Sequence, residues 1–196
     1  MKVLAIAGSY RDGGIIDQAV DVAVRIARNA GAEVDVVRLR DYPIEFCRNC
    51  RECTQAPGDA PGECVLNDGM RELVRRIEAA DAYILASPTN VYATTALFRR
   101  FMERLIVYVD WPWGARAPRL RNKTPGKRAL VIASAAAPSV LARLFFSTLK
   151  ELEGTARTLG AKRVRDVFIG LAGGRREPQL SPRAARRIER ATRALI

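Results

Sequence analysis

The chain has 196 residues, of which 48% are hydrophobic and 28% charged, a balance typical of one globular domain with its own core. It contains no histidine, which excludes Ser-His-Asp and Cys-His catalysis and His-ligated zinc. The formal net charge of +12 would suit a nucleic-acid partner, but the basic residues are spread along the whole chain, so we do not favour nucleic-acid binding.

The first predicted element is a buried strand over Lys2–Ala7. Gly8, Arg11 and Asp12 interrupt its apolar run, so we expect neither a signal sequence nor a membrane span, and a cytoplasmic protein. Four more short apolar runs predict strands near Glu33–Arg38, Ala82–Ala86, Arg128–Ala133 and Val164–Ile169. Amphipathic segments predict helices near Ile16–Ala30, Gly69–Ala79, Thr94–Val109, Ser139–Leu159 and Pro182–Leu195.

This alternation predicts an α/β fold with a doubly wound, five-stranded parallel sheet and helices on both faces. Asp68 and Ser181 are the predicted N-caps, and Gly31 and Gly160 the predicted left-handed helix ends. We expect a single domain over residues 1–196 with two irregular segments, a cysteine-containing loop over 41–67 and an insertion over 111–126. One side of the last helix carries a basic cluster, interpreted as a solvated face: Arg183, Arg186, Arg187, Arg190 and Arg193.

A glycine-rich turn, Gly8-Ser9-Tyr10-Arg11-Asp12-Gly13-Gly14, joins the first strand to the first helix. Such a turn lets successive amides point inward at a helix N-terminus, which favours a phosphate, and the Ser9 hydroxyl and Arg11 guanidinium would add donors. The spacing matches neither Walker A nor GxGxxG. The alternative is an ordinary turn without a ligand.

A second turn, Ser87-Pro88-Thr89-Asn90-Val91-Tyr92, follows the third strand. Ligands of open parallel sheets bind beyond the carboxyl ends of the strands, where this turn and the glycine-rich turn both lie. Its polar backbone would suit the edge of a flat heteroaromatic ring. The alternative is a plain connection between strand and helix.

Together these turns resemble the NADPH-dependent FMN reductase group of flavodoxin-like proteins, including its iron-sulfur flavoprotein branch, over roughly residues 1–170. Gly8-Ser9-x-Arg11-x-x-Gly14 is similar to the family's phosphate loop, and 87–104 to its second flavin loop and helix, with Arg99, Phe101, Glu103 and Arg104 at the later motif positions. The sequence departs from the family at Ile16, where many relatives carry Thr, and at Asn90 and Val91, which replace an aromatic pair.

The resemblance implies a flavodoxin-like sheet order of 2-1-3-4-5, FMN as cofactor and NAD(P)H as co-substrate. The function implied is transfer of electrons from the nicotinamide through flavin to a quinone, a flavin or another acceptor, in a homodimer or homotetramer without a membrane partner. No catalytic side chain is expected, because the flavin carries the chemistry. The implied FMN contacts are Ser9, Arg11, Gly13, Gly14, Ile15, Ile16, Pro88, Thr89, Asn90, Val91, Tyr92 and Ser134.

Four cysteines follow the pattern Cys47-x2-Cys50-x2-Cys53-x10-Cys64. Soft thiolates at this spacing suit a [4Fe-4S] cluster, and the iron-sulfur flavoproteins look like this except for a shorter final gap. An iron-sulfur electron carrier is therefore the alternative function. Metal-free thiols, structural zinc and a disulfide, which a cytoplasmic location disfavours, stay open.

Two further points stay open at the level of sequence. Trp111 and Trp113 would either cover the flavin, bury in a subunit contact or serve only in packing. A basic binding module that uses the fold without redox turnover is the remaining, less favoured function.

Overall fold

The computed structural model describes residues 1–121, 126–174 and 176–196. Its strands are Lys2–Ala7 (β1), Glu33–Arg38 (β2), Ala82–Asn90 (β3), Ala93–Thr94 (β4), Val109–Asp110 (β5), Arg119–Leu120 (β6), Lys127–Ser134 (β7) and Ala161–Ile169 (β8). Five of them form a parallel sheet in the order β2-β1-β3-β7-β8, and β4 extends it antiparallel to β3. The predicted flavodoxin-like order is confirmed.

The helices are Ile15–Asn29 (α1), Met70–Ala79 (α2), Ala96–Arg104 (α3), Ser139–Phe145 (α4), Thr148–Thr158 (α5) and Pro182–Arg193 (α6). The prediction of one helix over Ser139–Leu159 is wrong. Phe146 has extended backbone, and the Ser147 amide donates to the Tyr92 carbonyl at 2.8 Å, so α4 and α5 are separate. The helix predicted over Thr94–Val109 also ends early, in a 3-10 turn over Leu105–Tyr108.

Two hydrophobic clusters cover the two faces of the sheet. On one face α1 and α6 pack against the sheet, with Ile16, Val20 and Ile188 in the cluster. On the other face α2, α3 and α5 contribute Leu73, Phe98 and Leu152. Because both faces are covered, the central strands read as continuous apolar runs without polar alternation.

Three of the four predicted helix-end residues lie where they were predicted. Ser181 is the N-cap of α6, and its Oγ accepts from the Ala184 amide at 3.2 Å. The prediction of Asp68 as the N-cap of α2 is wrong, because Gly69 holds that position; Asp68 Oδ1 still accepts a hydrogen bond from the Met70 amide at 3.0 Å. Gly31 and Gly160 adopt the left-handed conformation after α1 and α5, with φ of +83° and +87°.

The two irregular segments lie against each other. The cysteine-containing loop over 41–67 holds one short 3-10 turn, Glu52–Thr54. The insertion over 111–126 is less irregular than expected, because β6 within it pairs antiparallel with β5, which directly precedes it; its residues 122–125 lie outside the described part. The Trp111 amide donates to the Thr54 carbonyl at 3.0 Å and joins the two segments.

The basic cluster of α6 is exposed, as its interpretation as a solvated face requires. None of the helices in the described residues has the length and apolar character to cross a bilayer.

Candidate functional site

The turns after β1, β3 and β7 converge at the carboxyl edge of the sheet around a cleft of about 240 Å³. We call it the carboxyl-edge cleft. Its lining is Ser9, Tyr10, Arg11, Gly14, Ile15, Ile16, Pro88, Asn90, Ser134, Ala172 and Pro178. Of the predicted FMN contacts, Gly13, Thr89, Val91 and Tyr92 are outside this lining, and the other eight belong to it.

The glycine-rich turn is held close to the sheet by its first residue. The Gly8 amide donates to the Ala86 carbonyl at 2.8 Å, and the Gly8 carbonyl accepts from the Thr95 hydroxyl at 2.6 Å. A Cβ at this position would lie 2.8 Å from the Cβ of Phe98, which is fully buried. The turn therefore leaves β1 along a path that only glycine permits.

One side chain of the turn and one of α1 accept hydrogen bonds from two amides of the turn. Ser9 Oγ lies 3.2 Å from both the amide and the carbonyl of Arg11, and Asp17 Oδ2 accepts from the Gly13 amide at 3.1 Å. Gly13 is left-handed, with φ of +62°. Within the described part of the chain, the amides of Gly14, Ile15 and Ile16 have no protein acceptor. They open α1, where unpaired N–H groups and the helix dipole favour an anion.

Asp17 and Arg40 are site residues that sequence reasoning missed. Asp17 is 2% exposed and forms an ion pair with Arg40 at 2.9 Å, and Arg40 also pairs with Asp12 at 2.6 Å. The carboxylate thus faces a guanidinium and an amide, which offset its negative charge beneath the turn. An acidic residue in the first turn of α1 was visible in the sequence, but it does not identify its partner Arg40, which lies 23 residues away.

Arg11, predicted to bind phosphate, points elsewhere in this structure. Its Nη2 donates to the Arg176 carbonyl at 2.8 Å, so it ties the glycine-rich turn to the segment after β8. Gln18 makes a second tie, because its Nε2 donates to the Pro178 carbonyl at 2.8 Å. This segment, with Ala172 and Pro178 in the cleft lining, was not predicted as part of the site.

The turn after β3 is a two-residue hairpin loop between β3 and β4. Val91 and Tyr92 both have positive φ, of 46° and 68°, as in type I′ hairpins. Such turns favour Asn and Gly, and a β-branched residue there is strained. The Val91 side chain is 90% exposed and gains no packing in return. Strain of this kind concentrates at functional sites.

The third turn contributes the end of β7. Ser134 is only 3% exposed and lies opposite Pro88 in the sheet register, so the two sides of the cleft floor are adjacent. Ser87 braces the floor from below, because its Oγ accepts from the Thr95 amide at 3.2 Å and donates to the Pro88 carbonyl at 2.9 Å.

Volume alone would not select this cleft. A hollow of about 490 Å³ lies between α3 and α5, one of about 410 Å³ is lined by basic side chains near Arg163, and one of about 250 Å³ adjoins Cys64. The carboxyl-edge cleft is distinguished by the convergence of separate turns at the carboxyl edge of a parallel sheet, where ligands of such folds bind.

The four cysteines lie in one neighbourhood, and all are free thiols. Cys53 is the buried one; burial, together with the other three cysteines, raises its pKa to about 11. The Cys64 sulfur accepts from Arg104 Nη2 at 3.4 Å, and the Cys47 sulfur accepts from the Asn49 amide at 3.4 Å. Within the described residues, however, no three His, Cys, Asp or Glu side chains are arranged to hold a metal ion.

The later motif positions on α3 do not line the carboxyl-edge cleft, and one of them, Arg104, anchors the cysteine loop. Arg104 is 1% exposed; it pairs with Asp68 and donates to the Glu45 carbonyl at 2.8 Å. Phe101 is fully buried and Arg99 pairs with Glu151, so both serve packing and helix contacts.

The arrangement of the cleft fits a phosphomonoester attached to a flat ring. Amides that have no acceptor in the described part of the chain meet at one end, at the start of α1, while Pro88, Asn90 and Ser134 border the remainder. Ile16 takes no part through its side chain, which is 2% exposed and packed in the core, so only its backbone amide faces this end.

The chain is similar to proteins of one described family. The sequence profile of the family described as NADPH-dependent FMN reductase matches residues 1–164. An iron-sulfur flavoprotein of Archaeoglobus fulgidus is 37% identical over 126 residues, which are 64% of this chain and 52% of that protein. The chain thus spans about half the length of the curated relatives it matches.

Solved structures share the fold at low sequence identity. An NAD(P)H:quinone oxidoreductase from Methanothermobacter marburgensis superposes with a TM-score of 0.72 at 19% identity, covering 100% of this chain and 96% of that one. An FMN-dependent NADH-azoreductase from Bacillus anthracis, solved with FMN, gives 0.67 at 12% identity, with 99% and 98% covered.

Proposed function

The chain belongs to the NADPH-dependent FMN reductase family, and from this premise we propose that it is an FMN-dependent oxidoreductase, acting in the cytoplasm as a single FMN-binding domain. It would oxidise NAD(P)H and reduce a small acceptor such as a quinone or a flavin. The overall reaction consumes NAD(P)H, one proton and the oxidised acceptor, and yields NAD(P)⁺ and the acceptor with two added hydrogens.

One observation carries the proposal: the amides of Gly14, Ile15 and Ile16 open α1 without an acceptor among the described residues, at the end of a cleft bordered by two further turns. Burying unpaired amides is costly, and an anion at a helix N-terminus would satisfy them. Asp17 sets the boundary of this anion site, because its carboxylate already accepts from the Gly13 amide and leaves the site to begin at Gly14.

The protein's own residues bind and orient the cofactor, which when bound supplies the hydride-accepting chemistry. The first turn of α1 would hold the phosphate, with Ser9 shaping the loop through its contacts to Arg11. Pro88 to Tyr92 and Ser134 would border the ring, and the floor under Pro88 excludes water because Ser87 and Thr95 are fully buried. No step requires an acid or base from the chain.

The test is purification followed by release and identification of the bound flavin, then NAD(P)H oxidation with and without menadione or free FMN. We expect FMN, close to one per chain, and acceptor-dependent oxidation. A protein that neither retains nor takes up FMN would overturn the proposal.

A second copy of this chain is the partner we propose, through an exposed apolar patch. On α4 the side chains of Val140, Leu141, Leu144 and Phe145 are 50 to 71% exposed, and Tyr92 contacts Phe146 next to them. So many exposed apolar side chains on one short helix are typical of an association surface. Sedimentation of the wild type and of Leu144→Glu tests this, since the variant should be the smaller species.

For the cysteine loop we propose a second function, one-electron transfer through an iron-sulfur cluster, supported by the spacing of the four cysteines and by the names of the curated relatives. The thiols as placed do not form a metal-holding group in the described residues, so binding would have to draw them together. Iron and sulfide analysis of anaerobically purified protein decides this: about four irons per chain support it, and none refutes it.

A further inference from the structure

Arg51 lies between the rings of Trp111 and Trp113. Its guanidinium carbon is 3.6 Å from the Trp111 ring centre and 4.2 Å from that of Trp113. Both distances are within the range of cation–π contacts. The chain contains only these two tryptophans, so both belong to one stack with one arginine, which we call the Trp–Arg stack.

Hydrogen bonds close the Trp–Arg stack against the cysteine loop. Arg51 Nη2 donates to the Trp111 carbonyl at 2.7 Å, and the Trp111 amide donates to the Thr54 carbonyl at 3.0 Å. Thr54 is fully buried, and its hydroxyl donates to the Arg51 carbonyl at 2.8 Å. Gln55 completes the contact, since its Oε1 accepts from the Trp113 amide at 2.9 Å.

The placement of Arg51 carries two costs that hydrogen bonding does not explain. Its Nε is buried and has no hydrogen-bond partner in the described structure. Its backbone is left-handed, with φ of +64°, a conformation that disfavours an arginine. Arg51 adopts this position despite both costs, and its flat cation stacks on two rings there. We therefore attribute its position to the stack.

Arg51 directly follows Cys50 and lies two residues before Cys53. Cys50 is exposed, whereas Cys53 is buried, with 6% of its surface accessible. The chain between them turns at the left-handed Arg51, so the orientation of one cysteine relative to the other depends on that residue. Arg121 fixes the far side of Cys53, because its Nη2 donates to the Cys53 carbonyl at 3.2 Å.

We propose that Arg51 is a positioning residue for the cysteine loop: its stack between Trp111 and Trp113 sets the places of Cys50 and Cys53 before anything binds their thiols. This role depends neither on the flavin nor on whether the thiols bind metal. It assigns Trp111 and Trp113 to the cysteine loop and not to the carboxyl-edge cleft.

The experiment follows thiol alkylation in the full-length, reduced protein, with iodoacetamide as the probe and each cysteine quantified by mass spectrometry. Arg51→Asn keeps a residue that tolerates the left-handed backbone but removes the stack. We expect alkylation of Cys53 to accelerate about tenfold or more, because local opening exposes buried groups. Cys64, held by Arg104, should react as in the wild type and serves as internal control.

Arg51→Lys and Arg48→Ala are the matched variants. Lysine keeps the charge without the flat guanidinium, so Arg51→Lys should keep less than half of the wild-type protection of Cys53 against alkylation. Arg48 is exposed in the same loop, so Arg48→Ala should leave the alkylation rate of Cys53 unchanged. Tryptophan emission reports the stack directly, and should shift in Arg51→Asn but not in Arg48→Ala.

Two outcomes would overturn the proposal. One is unchanged Cys53 alkylation in Arg51→Asn despite altered tryptophan emission, which would leave the stack as packing without influence on the thiols. The other is equal acceleration at Cys53 and Cys64, which would indicate general loosening of the fold. Alkylation of the cysteines requires neither bound flavin nor turnover, so failure of this proposal is distinct from failure of the proposed reductase.

Discussion

Gly8 lies so close to Phe98 that a Cβ on the glycine would stand 2.8 Å from the Cβ of the phenylalanine. The contact joins the glycine-rich turn to α3, whose N-cap Thr95 also donates to the Gly8 carbonyl. The turn is therefore placed by packing from beneath, and its amides are set before a ligand arrives.

Gly8→Ala should destabilise the protein by about 1–3 kcal/mol, because Phe98 is fully buried and cannot move aside freely. The matched control is Gly154→Ala in α5, where a Cβ meets no atom within 4 Å and should add about 0.5–1 kcal/mol of stability. Urea unfolding of the two variants measures both. Equal effects in the two positions would contradict the close contact.

Val91→Gly should stabilise the protein by about 1 kcal/mol, since glycine relieves the left-handed strain of an exposed side chain that packs against little. Val65 is an exposed loop valine without positive φ, so Val65→Gly should instead cost about 0.5–1 kcal/mol. Thermal unfolding compares them. A lower midpoint for Val91→Gly would mean that the valine side chain, not the backbone, matters in this turn.

Arg104→Met should cost about 3–5 kcal/mol, because it leaves the Asp68 carboxylate buried and unpaired. Adding Asp68→Asn to Arg104→Met removes that charge and keeps an acceptor for the Met70 amide. The double variant should therefore be more stable than Arg104→Met alone. Denaturant midpoints decide the order. If the double variant were less stable than Arg104→Met alone, the broken ion pair would not be the cause of the lost stability.

Stability should fall at acid pH through Glu151. Burial by itself would raise its pKa, but hydrogen bonds from Ser147 and Thr94 and the charge of Arg99 outweigh it, so the net pKa is lowered from 4.5. A carboxyl with a lowered folded pKa contributes its full stability above the ordinary value and loses it as the pH falls below.

Glu151→Gln should therefore lower stability at pH 7 and flatten its decline below pH 4.5. Unfolding curves from pH 7 to 3 for the wild type and Glu151→Gln provide the check. Parallel pH profiles would assign the acid sensitivity to other carboxyls, foremost Asp68, whose pKa is also lowered.

The sheet was predictable because its central strands are apolar runs buried on both faces. The predicted bounds of Lys2–Ala7 are confirmed, and so are those of the edge strand Glu33–Arg38, which is more exposed. The break after Phe145 was not, since it depends on a bond from Ser147 to Tyr92, 55 residues away. Local periodicity carries no information on such a contact.

The candidate site, too, was predictable from the sequence only in part. Its turns could be located from glycine, proline and their places after strands, and eight of the twelve predicted contacts line the cleft. The Asp17–Arg40 pair and the segment around Pro178 depend on long-range packing. The left-handed Val91 runs against the preference of its own residue type, so no sequence rule would select it.

The most direct test of the account is the affinity of the flavin-free protein for FMN compared with riboflavin, which differs only by the missing phosphate. Each charge-assisted amide bond is worth about 1.5–3 kcal/mol, so FMN should bind about a hundredfold or more tightly, with the preference reduced in Gly8→Ala. Equal dissociation constants for the two flavins would contradict the claim that the first turn of α1 holds a phosphate.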